Sequence, residues 1–464
     1  MDYLMLGALA VLAAGSFLLS PRVRHVDAFF KGWSDEGAQP SLLTLTFSQV
    51  TTWIFARSLL TAAILGYYYG IAGSLAYAAY YLSFFTGGAL IAAIRFRHGF
   101  ESVQAFLADR FGARSVWCYN LVVSLRLLSE VFANLLVVGI IFGAAGTMAY
   151  AAAITVAALV TLGYSMLGGL HASLRTDMFQ MAAFLVLLAV VLGYLVGAEN
   201  WSVAATATSS PLVLEHGWNL LLVALLQVWS YPLHDPVMMD RGFIADRRTT
   251  LHSFWHAGWI SILCILAFSL LGVYAGLQAA KGEDMMVVLT RLLGPEAMLF
   301  VNLALIVSAV STLDSTLSSS AKLAVVDMGA AERTVANGRK AMALFMLGGL
   351  AFLFGGSEDL YSAVAISGTA SMYLTPIIFF SIWGGVRDIP FWCYLTSFVV
   401  AVAGAVLYYV EAGGHWSIIE PLLGITVKYN KLLAISVTVL VIGNGAFLLG
   451  MLQQRARPGS PAAA

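Results

Sequence analysis

The chain has 464 residues, is 60% hydrophobic and only 10% charged, and balances 24 basic against 24 acidic side chains. A soluble globular protein carries about 25% charged residues, so these are too few to cover a water-facing surface, and the absence of a basic excess points away from nucleic acid. Apolar runs of ~20 residues, enough to cross a hydrocarbon core of ~30 Å, recur along the whole length and mark an all-α, multi-pass membrane protein.

Thirteen spans are predicted, at roughly 3–20, 41–68, 70–94, 116–144, 149–168, 177–197, 217–233, 252–277, 295–326, 340–355, 359–385, 390–410 and 432–453. The first lacks the basic leader of a signal peptide and is expected to be retained. The second, through "FSQVTTWIFARS", and the seventh, through "QVWSYPLHDP", carry the polar interruptions of discontinuous helices. They lie five spans apart, as matching members of two inverted five-helix repeats would. Alternate loops hold eighteen of the basic residues and the other set holds Lys281, Arg291, Lys428 and Lys431. The positive-inside rule then predicts an outside N-terminus and a cytoplasmic C-terminus, in the plasma membrane. The domain expected is a single transmembrane unit over 1–464: a first span and loop to 40, repeats at 41–197 and 217–385, two extra spans at 390–453, and a short disordered tail at 454–464.

Within the ninth span, "SAVSTLDSTLSSS" (308–320) places six Ser, two Thr and one Asp in an otherwise apolar run. On a helix, Ser308, Ser311, Thr312, Ser315 and Ser319 share one face, with Asp314 and Ser318 on its flank. Hydroxyls and freed carbonyls one turn apart can replace the water around a small hard cation, and an all-oxygen set suits sodium rather than a transition metal. The bland alternative is that the hydroxyls bond back to their own helix or let helices pack closely. Cys118, Cys264 and Cys393 have neither disulfide nor zinc spacing and read as small apolar residues. The eight His read as solvated or capping, and Trp and Tyr at span ends, such as Trp201, Trp392 and Tyr429, as interface anchors.

"VSTLDSTLSSSAKLAVVD" resembles the eighth core helix of the sodium/solute symporters, the family of the proline, pantothenate, sialic acid and glucose carriers. "FSQVTTWIFARS" resembles that family's broken first core helix, "GGLHASLRTDMFQ" the start of its fifth, "HDPVMMDRGFIAD" the loop after its sixth, and "HGFESVQAFLADRFGAR" the loop after its second. The resemblance implies a leucine-transporter-like core of two inverted five-helix repeats, preceded by one span and followed by two. It also implies a sodium site made by the carbonyls of Phe47 and Val50 at the break in the first core helix, the carbonyl of Ser308, and the hydroxyls of Ser311 and Thr312. A second cation position in some members falls on Ser315 and Asp177, with Asp314 where those members have a hydroxyl. Asp177 and Asp314 then hold a cation, exchange a proton, or pair with Arg175 or Lys322; as an alternative, Asp177 caps a helix start.

Broken helices put a solute near the bilayer midplane. Candidate contacts are Gln49, Thr51, Thr52, Trp53 and Arg57 at the first break, Trp229 and Tyr231 before Pro232, and Ser367, Thr369 and Ser371 in "AISGTASMY". Arginine within a span is costly without a partner. Arg126 has Glu130 one turn away, a structural ion pair that Asn134 extends. Arg57 has no acid within a turn, so it either meets a carboxylate on the solute, snorkels, or pairs with an Asp elsewhere. The function expected is sodium-coupled import of a small organic solute, an amino acid, carboxylate or similar, by alternating access, with sodium as the co-transported ion. The lipid bilayer is the environment and no obligatory protein partner is implied. A transport-silent sensor and a proton-coupled carrier are the alternatives. An enzyme is not expected, since neither a Gly-x-Ser-x-Gly elbow nor an HExxH helix occurs.

Overall fold

The computed structural model describes residues 2–353 and 360–456. The 354–359 segment, at the junction of the tenth and eleventh predicted spans, and most of the predicted tail lie outside the described residues. Every regular element among the described residues is helical.

The chain runs through α1 (Asp2–Leu19), α2 (Val26–Lys31), α3 (Leu42–Trp53), α4 (Ala56–Ala79), α5 (Ser83–Ile91) and α6 (Val103–Phe111). Next come α7 (Ala113–Phe142), α8 (Met148–Val196), α9 (Val203–Ala207) and the interrupted set α10 (Asn219–Gln227), α11 (Tyr231–His234) and α12 (Pro236–Arg241). The long α13 (Arg247–Gln278) and α14 (Met285–Lys322) follow, then α15 (Val335–Phe352), α16 (Leu360–Ser371) and α17 (Leu374–Pro376). The chain closes with α18 (Phe391–Ala412), α19 (Ile419–Leu423) and α20 (Lys428–Arg455). Polar residues open these helices where amides need partners: Ser41 accepts from the Thr44 amide, Thr147 from Tyr150, and Asp246 from Arg248 and Thr249.

Seven helical stretches among the described residues are long and apolar enough to cross a membrane. Two of them, of 42 and 49 residues, each run through two of the predicted spans. The 49 residues of α8 would reach about 74 Å at 1.5 Å per residue. Glycines with positive φ break them, Gly70 (φ 60, ψ −145) in α4 and Gly169 (φ 57, ψ −134) in α8. These breaks fall where the sequence separates its second span from its third and its fifth from its sixth. At Gly169 a Cβ would also lie 2.5 Å from the carbonyl oxygen of Phe29, so both the backbone conformation and the space select glycine.

Close packing relies on small residues. α13 presents Gly272 and Gly276, four residues apart, to α4, where a Cβ on Gly272 would overlap the Ala63 carbonyl. Lipid tails are as apolar as leucine, so such backbone approach supplies the dispersion contact that holds membrane helices together. The centre of the molecule is polar. α3, α8, α12 and α14 meet there around buried Ser, Thr, Asp and Arg side chains.

Candidate functional site

The first core helix breaks between α3 and α4, at Ile54 (φ −82, ψ 69) and Phe55 (φ −63, ψ 151). That corrects the expectation that Phe47 and Val50 sit at the break. Phe47 is well inside α3, and the Val50 carbonyl accepts the Ile54 amide at 2.9 Å. The carbonyls at the break are those of Trp53, which accepts the Tyr81 hydroxyl at 2.8 Å, and Ile54, which accepts the Ser308 hydroxyl of α14. The broken helix and the hydroxyl stripe therefore touch. Thr312 donates to the Ser308 carbonyl at 2.9 Å, and Ser311 turns from its own helix to donate to Asp177 Oδ1 at 2.9 Å.

Two buried charge clusters lie on either side of this contact. The first gathers Asp177, Asp314 and Arg241, all fully buried. Asp177 accepts the Ser48 hydroxyl at 2.6 Å in addition to Ser311. Asp314 accepts hydroxyls from Ser173 (2.8 Å), Tyr164 (2.8 Å), Thr176 (2.9 Å) and Ser315 (3.2 Å). Arg241 donates Nε to Ser48 and Nη2 to Ser315, each at 2.8 Å, and Nη2 lies 3.6 Å from Asp177 Oδ2. The partners offered by the sequence reading are elsewhere: Arg175 is exposed, and Lys322 pairs with Asp240 at 2.7 Å and Asp327 at 3.0 Å. Asp177 is not a helix cap either, because α8 already resumes after Gly169.

The second cluster holds Arg57, Arg126, Glu130 and Asp235. Arg57 and Arg126 both reach Glu130, and Arg126 Nη2 lies 3.0 Å from Asp235 Oδ2. Asn134 donates to the Glu130 carbonyl at 2.9 Å. Phe55, at the break, lies under both guanidinium groups, at 5.9 Å and 5.6 Å from its ring centroid. Beside it, Trp53 packs against Tyr81, Phe84 and Tyr231. Gln49, one turn before Trp53, is buried with both side-chain amide atoms lacking a hydrogen-bond partner, as does Trp53 Nε1. Thr51 and Thr52 are buried in the same turn, and Thr52 bonds back to the Gln49 carbonyl.

On α16, Ser367 meets His234 at 3.0 Å, Thr369 accepts from Gln227 at 3.3 Å, and Ser371 meets Ser230 at 3.1 Å. Tyr231 joins Trp53, but Trp229 does not: it is 39% exposed and packs against Phe379 and Trp383. His234, read as solvated or capping, is buried. Sequence reasoning missed Ser48, Tyr164, Ser173, Thr176, Gln227 and Arg241. Arg241 was within a quoted motif but counted as a loop cation. Farther along α14, a cavity of about 710 Å³ is lined by Phe30, Trp33, Arg95, Phe243, Lys322 and Asp327, all in or beside the basic loops.

No family model matches the sequence, and no curated protein matches it. Solved structures do. A Na+-coupled sialic acid symporter in a substrate-bound outward-open state has a TM-score of 0.67 at 13% identity, covering 97% of each chain. A nucleobase-cation-symport-1 family transporter, closed with bromovinylhydantoin bound, has a TM-score of 0.57 at 12% identity, covering 89% of this chain and 94% of that one. The chain thus has an all-helical, leucine-transporter-like fold.

Proposed function

We propose that the protein is a secondary active symporter of the sodium/solute symporter type, in which sodium falls down its gradient and carries a small organic solute inward by alternating access. The observation that carries the reading is the contact of the Ser308 hydroxyl with the Ile54 carbonyl. A helix end with freed carbonyls faces a buried stripe of hydroxyls, and an alkali ion between them would brace α3 against α14. In this reading Ser311, Thr312 and the Ser308 carbonyl are ligands, and the α3 end supplies the remaining oxygens in place of Phe47. Sodium must bind the outward-open form better than the inward-open one, because an ion biases an equilibrium only by differential affinity.

The solute would sit at the break, against Gln49, Trp53 and Tyr231, with Thr51, Thr52, Ser367, Thr369 and Ser371 near it. Arg57 is neutralised by Glu130, so a solute carboxylate would have to compete for it. Amino acids, whose two charges cancel, suit such a balanced pocket better than a free anion. The plasma membrane, with the N-terminus outside and the basic loops cytoplasmic, is the proposed setting.

The test is uptake of radiolabelled amino acids, carboxylates, sugars and urea into proteoliposomes, each with and without an inward sodium gradient. Uptake of one class that collapses without the gradient is the expected result. Uptake driven equally by a proton gradient would replace sodium as the coupling ion, and binding without uptake would make the protein a sensor.

A further inference from the structure

A buried glutamine ordinarily has its amide atoms paired, and Gln227 shows how this fold does it. Its Oε1 takes the Tyr80 hydroxyl at 2.8 Å and its Nε2 donates to Thr369 at 3.3 Å. Gln49 is equally buried, yet neither its Oε1 nor its Nε2 has a partner. Among the described residues no other uncharged side chain leaves two buried polar atoms unpaired. One turn further along the same face of α3, the indole Nε1 of Trp53 is unpaired as well. The Trp53 ring packs on Tyr231 and Tyr231 on His234, whose Nδ1 is the next unpaired atom along this line of rings. A hydrogen bond left unmade on a buried group costs its full desolvation, so these atoms beside the break mark a place where a solute supplies the partners.

The neighbouring groups narrow what that solute is. The charged side chains beside the break are bound to one another, Arg57 and Arg126 to Glu130 and Arg126 to Asp235. The hydroxyls are engaged too: Thr52 on the Gln49 carbonyl, Ser367 on His234, Thr369 on Gln227 and Ser371 on Ser230. A sugar would lay most of its hydroxyls against aromatic rings and against hydroxyls already in use. A carboxylate has no proton to give Gln49 Oε1, and an ammonium has no lone pair to take a proton from Nε2. A carboxamide or ureide has both, side by side in one plane, and meets a glutamine amide through two parallel bonds, as glutamine meets the edge of adenine.

We infer that Gln49 is the specificity-determining residue and that the solute carries an uncharged carboxamide or ureide group, held edge to edge by Gln49 with Trp53 Nε1 as a further donor. This rests on the proposed transport function and deepens it by naming the substrate class: net-neutral solutes with an amide end, amide-bearing amino acids and urea-like molecules among them.

The experiment follows the thermal unfolding midpoint of the purified full-length chain, in detergent with sodium, against probes paired as amide and carboxylate: glutamine with glutamate, asparagine with aspartate, acetamide with acetate, and urea and glucose alongside. The amide members and urea are expected to raise the midpoint of the wild type, and the carboxylates and glucose to leave it unchanged. The dissociation constant of the best amide should rise at least tenfold in Gln49→Leu, and severalfold in Trp53→Phe, which keeps an aromatic ring and removes the donor. Gln49→Leu is close in volume and removes only unpaired atoms, so its ligand-free midpoint should equal or exceed that of the wild type, whereas a glutamine with a structural role would lower it. No amide response in the wild type, equal responses to both members of a pair, or equal amide affinity in wild type and Gln49→Leu overturns the inference. Sodium-driven uptake of another solute class would then leave the transport reading standing. Amide binding without uptake does the reverse, supporting the inference and removing transport. The wild-type pairs decide the matter even where a variant fails to fold.

Discussion

Glu130 is the acid that both Arg57 and Arg126 reach in the second cluster. Replacing it with Gln leaves Arg126, 3% exposed, with Asp235 alone and Arg57, 1% exposed, without its acid. A unit pair about 3 Å apart attracts by about 5 kcal/mol at an effective dielectric of ~20, and Glu130 makes two such contacts. Part of that gross attraction offsets desolvation already incurred, and removing one partner of a buried pair destabilises by about 3–5 kcal/mol. Glu130→Gln is expected to lose that much in reversible unfolding, followed by tryptophan fluorescence in mixed detergent micelles. Adding Arg57→Met removes the stranded charge and leaves Arg126 with Asp235, so the double variant should regain most of the loss. A single variant within about 1 kcal/mol of wild type, or a double variant less stable than the single, would refute the argument that these charges act as one balanced set.

Ser311→Ala or Thr312→Ala should raise the sodium concentration for half-maximal uptake about tenfold, the effect of losing about 1.4 kcal/mol of ligation; an unchanged sodium titration would place the ion elsewhere. Gly272→Ala should destabilise the α4–α13 packing by about 1–3 kcal/mol, while Gly7→Ala, where a Cβ meets nothing within 4 Å, should be silent in the same melt. Asp246, exposed at the start of α13, is held below the usual 3.8 by hydrogen bonds from Thr249 and then Arg248. A depressed folded value means its contribution is present above the unfolded value and lost as pH falls through the folded one. Asp246→Asn should therefore lower the unfolding midpoint at pH 7, and the difference from wild type should shrink below about pH 4.

The turns at Gly70 and Gly169 were legible because glycine in an apolar run is a local signal, and so was the second interruption, where Pro232 and Pro236 forbid a continuous helix. The first break carries no such mark. Ile54 and Phe55 would suit a helix, and what holds them out of it is tertiary: the Trp53 ring among Tyr81, Phe84 and Tyr231, and Phe55 beneath two guanidinium groups. Placing the break at Phe47 was the natural error. The periodicity of 308–320 marks one polar face of α14, but not what that face meets. Ser48, Asp177 and Arg241 lie far apart in sequence, and only the packing of α3, α8 and α12 brings them together. Arg241 was misread for a related reason, since a cation in a short loop and one ending a buried turn look alike until the neighbours are known.

α12 is six residues long, about 9 Å from end to end. Its first turn is capped by Asp235, whose carboxylate takes the Met238 amide on one oxygen and Arg126 on the other; its last residue is Arg241. A rod this short does not bend. α12 therefore ties the Arg126–Glu130 cluster at its start to the Ser48, Asp177 and Ser315 cluster at its end through one short helix.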